Sequence, residues 1–303
     1  MAITNVERPI ILIKCGEKRW IDEMYKGNMR FSGPGKWVEY ELKNGIGRGD
    51  KFEGTFAINN SKDTKSYLKK KYGNNLIIND SDEITYYQLH TTLGCPTFCM
   101  YTIEDKDITF LEDINAEGIY DAQVNISGQF YQDFAKSNGL TDEDIANLPE
   151  DQQPALLIMA NENVDIFLDR LGNTLKADYG LCDSNILMKR VNYEYSRSET
   201  EDYQCRNNHS QELFFKNEEL EYQKEVRVVI NSKKHRFKNP NTEYLDVHID
   251  GMKKICEVHE GYTPEGTTLK MKIQVSTIKH ILERDGKIKT GYMGKEIKVE
   301  GNE

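Results

Sequence analysis

Short apolar runs separated by turn residues dominate the hydrophobic pattern of this chain and predict many short strands. Pro9 to Lys14 and Pro154 to Met159 are nearly continuous apolar runs, which is typical of strands buried on both faces. Asn28 to Ser32 instead alternates polar and apolar residues, as expected for a strand with one buried face. Phe98 to Ile103 follows a glycine-proline turn and is predicted to be a central strand.

Helical spacing is present in fewer places. Trp20 to Tyr25 carries apolar residues at helical spacing and is followed by a glycine that can end a helix. Thr141 and Asp144 have the spacing of a capping box, which predicts the start of a short helix. Asn163 is expected to cap a helix over Val164 to Leu171 that ends at the next glycine.

Strands and helices together predict an α+β fold, with a mixed, largely antiparallel central sheet and a few packed helices. The 303 residues can form one large domain, and no serine- or proline-rich linker divides them. We therefore expect a single domain over residues 1–303. A less regular acidic region at about 104–151 is the candidate for an inserted helical subdomain.

Composition narrows the class of partner. The formal net charge is −10, which argues against broad electrostatic binding to nucleic acid but leaves room for a local basic cleft. No apolar run approaches the roughly 20 residues of a membrane span, and the first residues lack the apolar region of a signal peptide. We expect a cytoplasmic protein without a membrane partner.

The six cysteines are expected to be reduced thiols, because the chain is long and shows no export signal. Cys95 and Cys99 form a single C-x₃-C pair, and no second pair follows at zinc-ribbon spacing. The six histidines are scattered. We therefore expect no metal.

The stretch from Phe214 to Ile230 contains the first candidate site. Glu225 and Arg227 are two residues apart in a predicted strand, so their side chains project from the same face. A carboxylate and a guanidinium on a rigid strand can hold a ligand in fixed geometry. On the residues alone, the favoured interpretation is a cross-strand ion pair on a half-exposed sheet.

Two further pairs of polar residues lie near the start of the chain. Arg30 and Ser32 share one face of the strand Asn28 to Ser32, as in an ordinary sheet or the wall of a pocket. Asp50 and Glu53 follow a glycine-rich loop that lacks the spacing of a phosphate loop. Their carboxylates suit a hydroxyl-rich ligand, a cation or the capping of a turn.

Two separated blocks resemble a known family. Gly27 to Ser32 with Asp50-x-x-Glu53-Gly54 resembles the "G-x-L-R-F-S…D-P-F-E-G" box of a large family of uncharacterised bacterial proteins. Phe215-Lys216 with Tyr222 to Arg227 resembles its "F-x-K…Y-E-x-E-W-R" strand, although Gln223 replaces the first glutamate and Val226 the aromatic residue. The family carries a domain of unknown function and often occurs near phage-defence genes, which implies a role in antiviral defence.

The layout of that family is similar to ADP-ribosyltransferase folds, and this similarity implies an enzyme that uses NAD to modify a macromolecule, either protein or nucleic acid. Glu225 would stabilise the oxocarbenium-like state as the catalytic carboxylate. Arg30, Ser32 and Arg227 would bind NAD, with the guanidinium of Arg30 on the diphosphate. This hypothesis requires Arg30 and Glu225 to line one cavity.

Two other functions stay open. The acidic composition and the replacement at Gln223 also suit a non-catalytic sensor or effector that binds a protein or a nucleotide. A weaker alternative is a metal-dependent nuclease that uses Asp50, Glu53 and Glu225, provided that the fold brings the three carboxylates together.

Overall fold

The computed structural model describes residue 9 and residues 11–44, 49–80, 84–103, 107–111, 119–160, 162–193 and 209–274. The strands are β1 Ile11–Glu17, β2 Asn28–Ser32, β3 Ala57–Ile58, β4 Leu76–Asp80, β5 Thr85–Leu89, β6 Thr97–Thr102, β7 Ile108–Phe110, β8 Ile119–Ile126, β9 Pro154–Ala160, β10 Ile186–Arg190, β11 Glu225–Ile230, β12 Tyr244–His248, β13 Glu257–Glu260 and β14 Thr267–Gln274. The helices are α1 Lys18–Tyr25, α2 Gly35–Asn44, α3 Lys62–Tyr72, α4 His90–Leu93, α5 Gln129–Asn138, α6 Asp142–Ala146 and α7 Glu162–Tyr179.

A central antiparallel sheet organises the molecule, and it confirms the predicted α+β class. Its strands follow the order β10-β11-β6-β1-β9-β13, and β6 lies between β11 and β1 as predicted for a central strand. Strand β2 joins β6 through the pair Ser32 and Thr97, and β12 pairs with β2. Strands β1 and β2 therefore pair with different residues of β6, and α1 connects the two strands in the chain.

Both faces of the central sheet are covered by a hydrophobic core. Successive side chains of a strand point to opposite faces, so a single strand contributes to both cores. Leu12 of β1 and Met159 of β9 face the first core, which also contains the buried side of α7. Ile11 and Ile13 of β1 face the second core, together with β8, β14 and α5. Burial on both faces explains why β1 and β9 are nearly continuous apolar runs.

The region at about 104–151 packs against the second face of the central sheet. It contributes β7 and β8 as well as α5 and α6, so its described part contains strands in addition to the predicted helices. Strands β7 and β8 form an antiparallel sheet with β14 from the far end of the described chain. Side chains of this sheet share the second core with β1 and β9.

A third small sheet, in the order β3-β5-β4, lies with α3 around a core of its own. Phe56, Leu68 and Tyr87 are fully or almost fully buried in that core. The turn from Asp50 to Gly54 leads directly into β3. The position of this small sheet therefore determines where the Asp50 and Glu53 carboxylates lie.

The structure tests several predicted elements. The capping box at Thr141 and Asp144 is confirmed, with both reciprocal hydrogen bonds formed. The predicted limits of the helix after Asn163 were wrong: α7 begins at Glu162 and runs to Tyr179. Gly172 does not end it, because it is buried inside the helix, where packing outweighs its low helix propensity. A strand predicted at Ile278 to Leu282 lies outside the described residues.

None of the helices that the structure describes is long and apolar enough to cross a membrane.

Candidate functional site

Strand β11 positions the two charged residues that the sequence singles out. Val226, Val228 and Ile230 face the first core, so Glu225 and Arg227 project from the opposite face. The predicted shared face is confirmed by a hydrogen bond of 2.8 Å from Arg227 Nε to Glu225 Oε2. The predicted half-exposed position is not found, because Arg227 is fully buried and Glu225 is only 6% exposed.

Glu53 reaches Arg227 from the other sequence block. Arg227 Nη2 donates to Glu53 Oε2 at 2.9 Å, and Arg227 Nη1 donates to Glu53 Oε1 and to the Leu213 carbonyl. The Trp37 ring of α2 lies 5.3 Å from the guanidinium carbon. Two segments that are 174 residues apart thus fold against each other through a bidentate ion pair.

Lys216 completes the buried group from the short turns before β11. Its Nζ donates to Gln223 Oε1 at 2.6 Å and to Glu225 Oε1 at 2.8 Å. Both oxygens of Glu225 therefore accept charge-assisted hydrogen bonds. We call the five side chains Asp50, Glu53, Lys216, Glu225 and Arg227 the ion network.

The carboxylates of the ion network differ in their proton affinity. Burial favours the neutral form of Glu225, but the charges of Lys216 and Arg227 outweigh burial and lower its pKa to about 2. Burial raises the pKa of Glu53 to about 7, against the opposing charge of Arg227. Burial also raises the pKa of Asp50, against the opposing charge of Lys216.

Asp50 has the turn-capping role that was one of its predicted interpretations. Its Oδ1 accepts from the Phe52 N–H at 2.9 Å, and its backbone carbonyl accepts from the Glu53 N–H at 3.0 Å. Its Oδ2 is buried without a hydrogen-bond partner among the described residues. The turn thereby aims Glu53 at Arg227.

The structure does not bring Arg30 to the ion network. Arg30 is exposed, donates to Asp246 Oδ1 at 2.9 Å and lies over the Tyr244 ring at 3.8 Å. Ser32 is half-buried and pairs with β6 and β12 through its backbone. Glu225, by contrast, is buried between Lys216 and Arg227. Arg30 and Glu225, which the transferase hypothesis places on one NAD molecule, therefore bind different residues of the chain.

Two of the three carboxylates of the nuclease alternative bind a guanidinium. Glu53 and Glu225 both bind Arg227, and Asp50 lies within their electrostatic environment. Among the residues that the structure describes, no group of three or more histidine, cysteine or acidic side chains is arranged to hold a metal ion. The ion pairs of the ion network connect the turn at Glu53 to strand β11.

A cavity of about 400 Å³ lies beside the ion network, between the central sheet and the β7-β8-β14 sheet. Its buried floor includes Ile13 and Phe130, and its exposed rim includes Asn125, Ser127 and Glu265. Tyr101, Phe130 and Tyr222 supply aromatic rings to its wall. We call this cavity the aromatic pocket. The sequence did not reveal it, because its residues come from six separate stretches of the chain.

Hydrogen bonds connect the aromatic pocket to the ion network. Tyr222 and Gln223 line the pocket, and Gln223 Nε2 donates to the Tyr222 hydroxyl at 3.2 Å. The amide oxygen of the same Gln223 accepts from Lys216, which binds Glu225. The next residue, Lys224, has a φ of 42°, a left-handed conformation that is strained for a lysine.

No family model, no curated protein and no solved structure matches this chain. The resemblance of its two sequence blocks to the uncharacterised bacterial family stays a prediction.

Proposed function

We propose that the protein is a ligand-binding sensor or effector, and that the aromatic pocket binds a planar, neutral or cationic heterocycle such as a nucleoside. The observation that carries this proposal is the cavity of about 400 Å³, with its aromatic wall and its hydrogen-bonded connection to the ion network. Cavities of this size with an apolar floor and a few polar groups are the usual form of small-molecule sites.

The aromatic wall suits a flat ring. The ring centroids of Tyr101 and Phe130 are 4.4 Å apart, and those of Phe130 and Tyr222 are 5.9 Å apart. The planes of neighbouring rings are inclined by 54° and 63°, so a flat ligand would stack on one of the three rings and meet the edges of the others. Stacking of a base on an aromatic side chain contributes about 1–3 kcal/mol.

The charges around the aromatic pocket select against a phosphorylated ligand. Lys224 is the one cation in the part of the lining that the structure describes, and it forms a salt bridge with Asp107. Glu265 adds a carboxylate at the rim, and Asp133 accepts a hydrogen bond from Tyr222 just behind the wall. Among the described residues, acidic groups therefore outnumber the lysine, and a neutral or cationic ligand is favoured.

The connection through Gln223 supports a sensing role. A ligand that displaces Gln223 changes the hydrogen bonds of Lys216 and, through it, the position of Glu225. The ion network joins β11, the Asp50 to Gly54 turn and the Leu213 segment. Occupancy of the pocket is thereby communicated to three parts of the chain.

The transferase hypothesis stays a prediction with less geometric support. It needs Arg30, Ser32 and Glu225 to face one NAD molecule, whereas Arg30 binds Asp246 and Glu225 binds Lys216 and Arg227. The role in phage defence and the cytoplasmic location also stay predictions that derive from the sequence alone.

Thermal unfolding with adenosine or NAD tests the proposal. Asn125→Trp places a large side chain at the rim of the aromatic pocket, while Asp121→Trp makes the same change four residues earlier on the same exposed face of β8. We expect adenosine to raise the unfolding midpoint of the wild type and of Asp121→Trp but not of Asn125→Trp. NAD should produce a smaller rise, because the acidic lining repels its phosphates.

Absence of any nucleoside-induced shift in the wild type would exclude this class of ligand. A large shift with NAD, accompanied by NAD turnover that Glu225→Gln abolishes, would instead support the transferase.

A further inference from the structure

A second cavity, of about 250 Å³, lies at the opposite end of the strands β6 and β11, near α4. Its lining is almost entirely polar and comes from three segments: Thr91, Thr92, His209, Ser210, Asn231 and Arg236. We call it the arginine pocket. A water molecule has a share of about 30 Å³ in the liquid, so the cavity has room for a small ion and its remaining hydration.

Arg236 is held at this cavity by the backbone around it. The Phe237 N–H donates to the Gly94 carbonyl at 2.8 Å, which ties the segment after β11 to the end of α4. The Asn231 N–H donates to the Asn185 carbonyl at 2.8 Å and fixes the start of the same segment. The guanidinium therefore projects from a backbone that is anchored on both sides.

The hydrogen bonds of Arg236 leave donor capacity at the cavity. Its Nη2 donates to Asn231 Oδ1 at 3.0 Å, but its Nε is buried without a hydrogen-bond partner in the described chain. None of the salt bridges formed by the described residues involves Arg236. A guanidinium has five N–H groups, and the hydrogen bond to Asn231 uses one of them, so an anion at the cavity can accept from the N–H groups that are not sealed by packing.

Among the residues that the structure describes, no aspartate or glutamate lines the cavity. The Cys95 thiol lies there too and interacts with Arg236; burial raises the pKa of this thiol against the opposing charge of Arg236, so the thiol stays neutral. Its Sγ contacts the Thr91 carbonyl at 3.4 Å.

Hydroxyl groups surround the cavity on the side of α4 and on the side of the turn before Phe214. Thr92 is 3% exposed and Ser210 is 5% exposed, so both are held in place by packing. The ring of His209 packs on Phe56 at 4.8 Å between centroids, and its Nε2 shares a hydrogen bond of 3.0 Å with the Tyr72 hydroxyl.

We propose that the arginine pocket binds a tetrahedral oxyanion, a phosphate group, with the guanidinium of Arg236 as the principal donor and the hydroxyls of Thr92 and Ser210 as secondary donors. A planar guanidinium with several N–H groups matches the oxygens of a phosphate, and neutral hydroxyls add hydrogen bonds without competing charge. This site is separate from the aromatic pocket, whose acidic lining disfavours phosphate.

Titration of the full-length protein with inorganic phosphate tests the site, at an ionic strength kept constant with chloride. Arg236→Gln removes the guanidinium, Arg236→Lys keeps the charge with fewer donors, and Arg19→Gln removes an exposed arginine charge elsewhere. We expect a saturable rise of the unfolding midpoint in the wild type and in Arg19→Gln. Affinity should fall at least about tenfold in Arg236→Gln, as one lost charge-assisted hydrogen bond implies, and less in Arg236→Lys.

Equal phosphate affinity in the wild type and Arg236→Gln would overturn the assignment, and so would a wild type that shows no saturable response. Phosphorus NMR line broadening on the wild type provides a second readout that does not depend on the stability of the variants. Phenyl phosphate in the same titration distinguishes two sources of the phosphate group. A site for an organic phosphate ester should bind phenyl phosphate more tightly than inorganic phosphate, whereas a site for the free ion should not.

Discussion

Arg227 is a fully buried, large side chain whose charge is balanced entirely by neighbouring residues. Its guanidinium binds Glu53 and Glu225, and a backbone carbonyl accepts a further hydrogen bond. A buried charge without such partners would destabilise the fold by several kcal/mol, whereas the complete network is tolerated. At the scale of single residues, the partners of Arg227 in the ion network therefore offset the cost of burying its charge.

Glu53 makes the stability of the protein depend on pH in a direction that can be measured. Its pKa rises to about 7 in the folded state, so between pH 4.5 and pH 7 the folded protein binds more protons at this carboxyl than the unfolded chain. This contribution to the free energy of unfolding is complete at low pH and is lost as the pH rises through 7. A shift of this size corresponds to a contribution on the order of 3 kcal/mol.

Urea unfolding of the wild type and of Glu53→Gln across pH 4.5 to 8 checks this expectation. The stability of the wild type relative to Glu53→Gln should fall as the pH rises. A matched substitution, Glu39→Gln, removes an exposed carboxylate from α2 and should leave the slope unchanged in this range. Parallel pH profiles for the wild type and Glu53→Gln would contradict the assigned protonation.

At the scale of elements, the connection between α1 and β2 decides how two strands share β6. Gly27 lies at that connection with a φ of 110°, and its carbonyl accepts from the Ile249 N–H at 2.9 Å. A β-carbon at this position would lie 2.4 Å from the Ile249 carbonyl oxygen. The close approach allows β2 and the end of β12 to come together directly after the helix.

Gly27→Ala should therefore destabilise the protein more than Gly139→Ala. Gly139 also has a positive φ, of 64°, but a β-carbon there meets nothing within 4 Å. Gly139→Ala should cost only the left-handed strain of about 1–2 kcal/mol, whereas Gly27→Ala adds a clash with rigid backbone. Chemical unfolding measures both, and equal losses would show that the connection at Gly27 can relax.

At the scale of the whole molecule, β1 and β9 link the two cores. Leu12 faces the first core and Ile13 the second, although they are adjacent in the chain. Packing on both sides of the same strands couples the region at about 104–151 to the helices on the other face. The cores therefore share their main structural support, as the predicted single domain requires.

We expect the protein to unfold in one cooperative step. Far-ultraviolet circular dichroism and the fluorescence of Trp20 and Trp37 should report the same urea midpoint. Leu12→Ala and Ile13→Ala create cavities on opposite faces of the sheet. Each should lower the free energy of unfolding by about 2–5 kcal/mol, and both signals should report the same loss. Two separate midpoints, or a shift of one signal alone, would reveal two independent units.

Much of the architecture could be predicted from the sequence, because local patterns determine it. The apolar runs of β1 and β9, the alternation of β2 and the capping box of α6 each have a local physical signature. The partner of Arg227 depends on how distant elements pack, and no local signal distinguishes a bond to Glu53 from a bond to a ligand. The aromatic and arginine pockets escaped prediction for the same reason.

Among the strands that the structure describes, the path β10-β11-β6-β1-β9-β13 of the central sheet ends at β10 on one side and at β13 on the other, while β12 borders the branch through β2. Lys189 and Arg190 lie on the first of these edges, and Glu257 and Glu260 lie on the second. Backbone groups at a sheet edge can recruit another chain, and charged side chains of one sign oppose the joining of two identical edges. Like charges therefore oppose the joining of two β10 edges or of two β13 edges, whereas the β10 edge of one molecule and the β13 edge of another carry opposite charges.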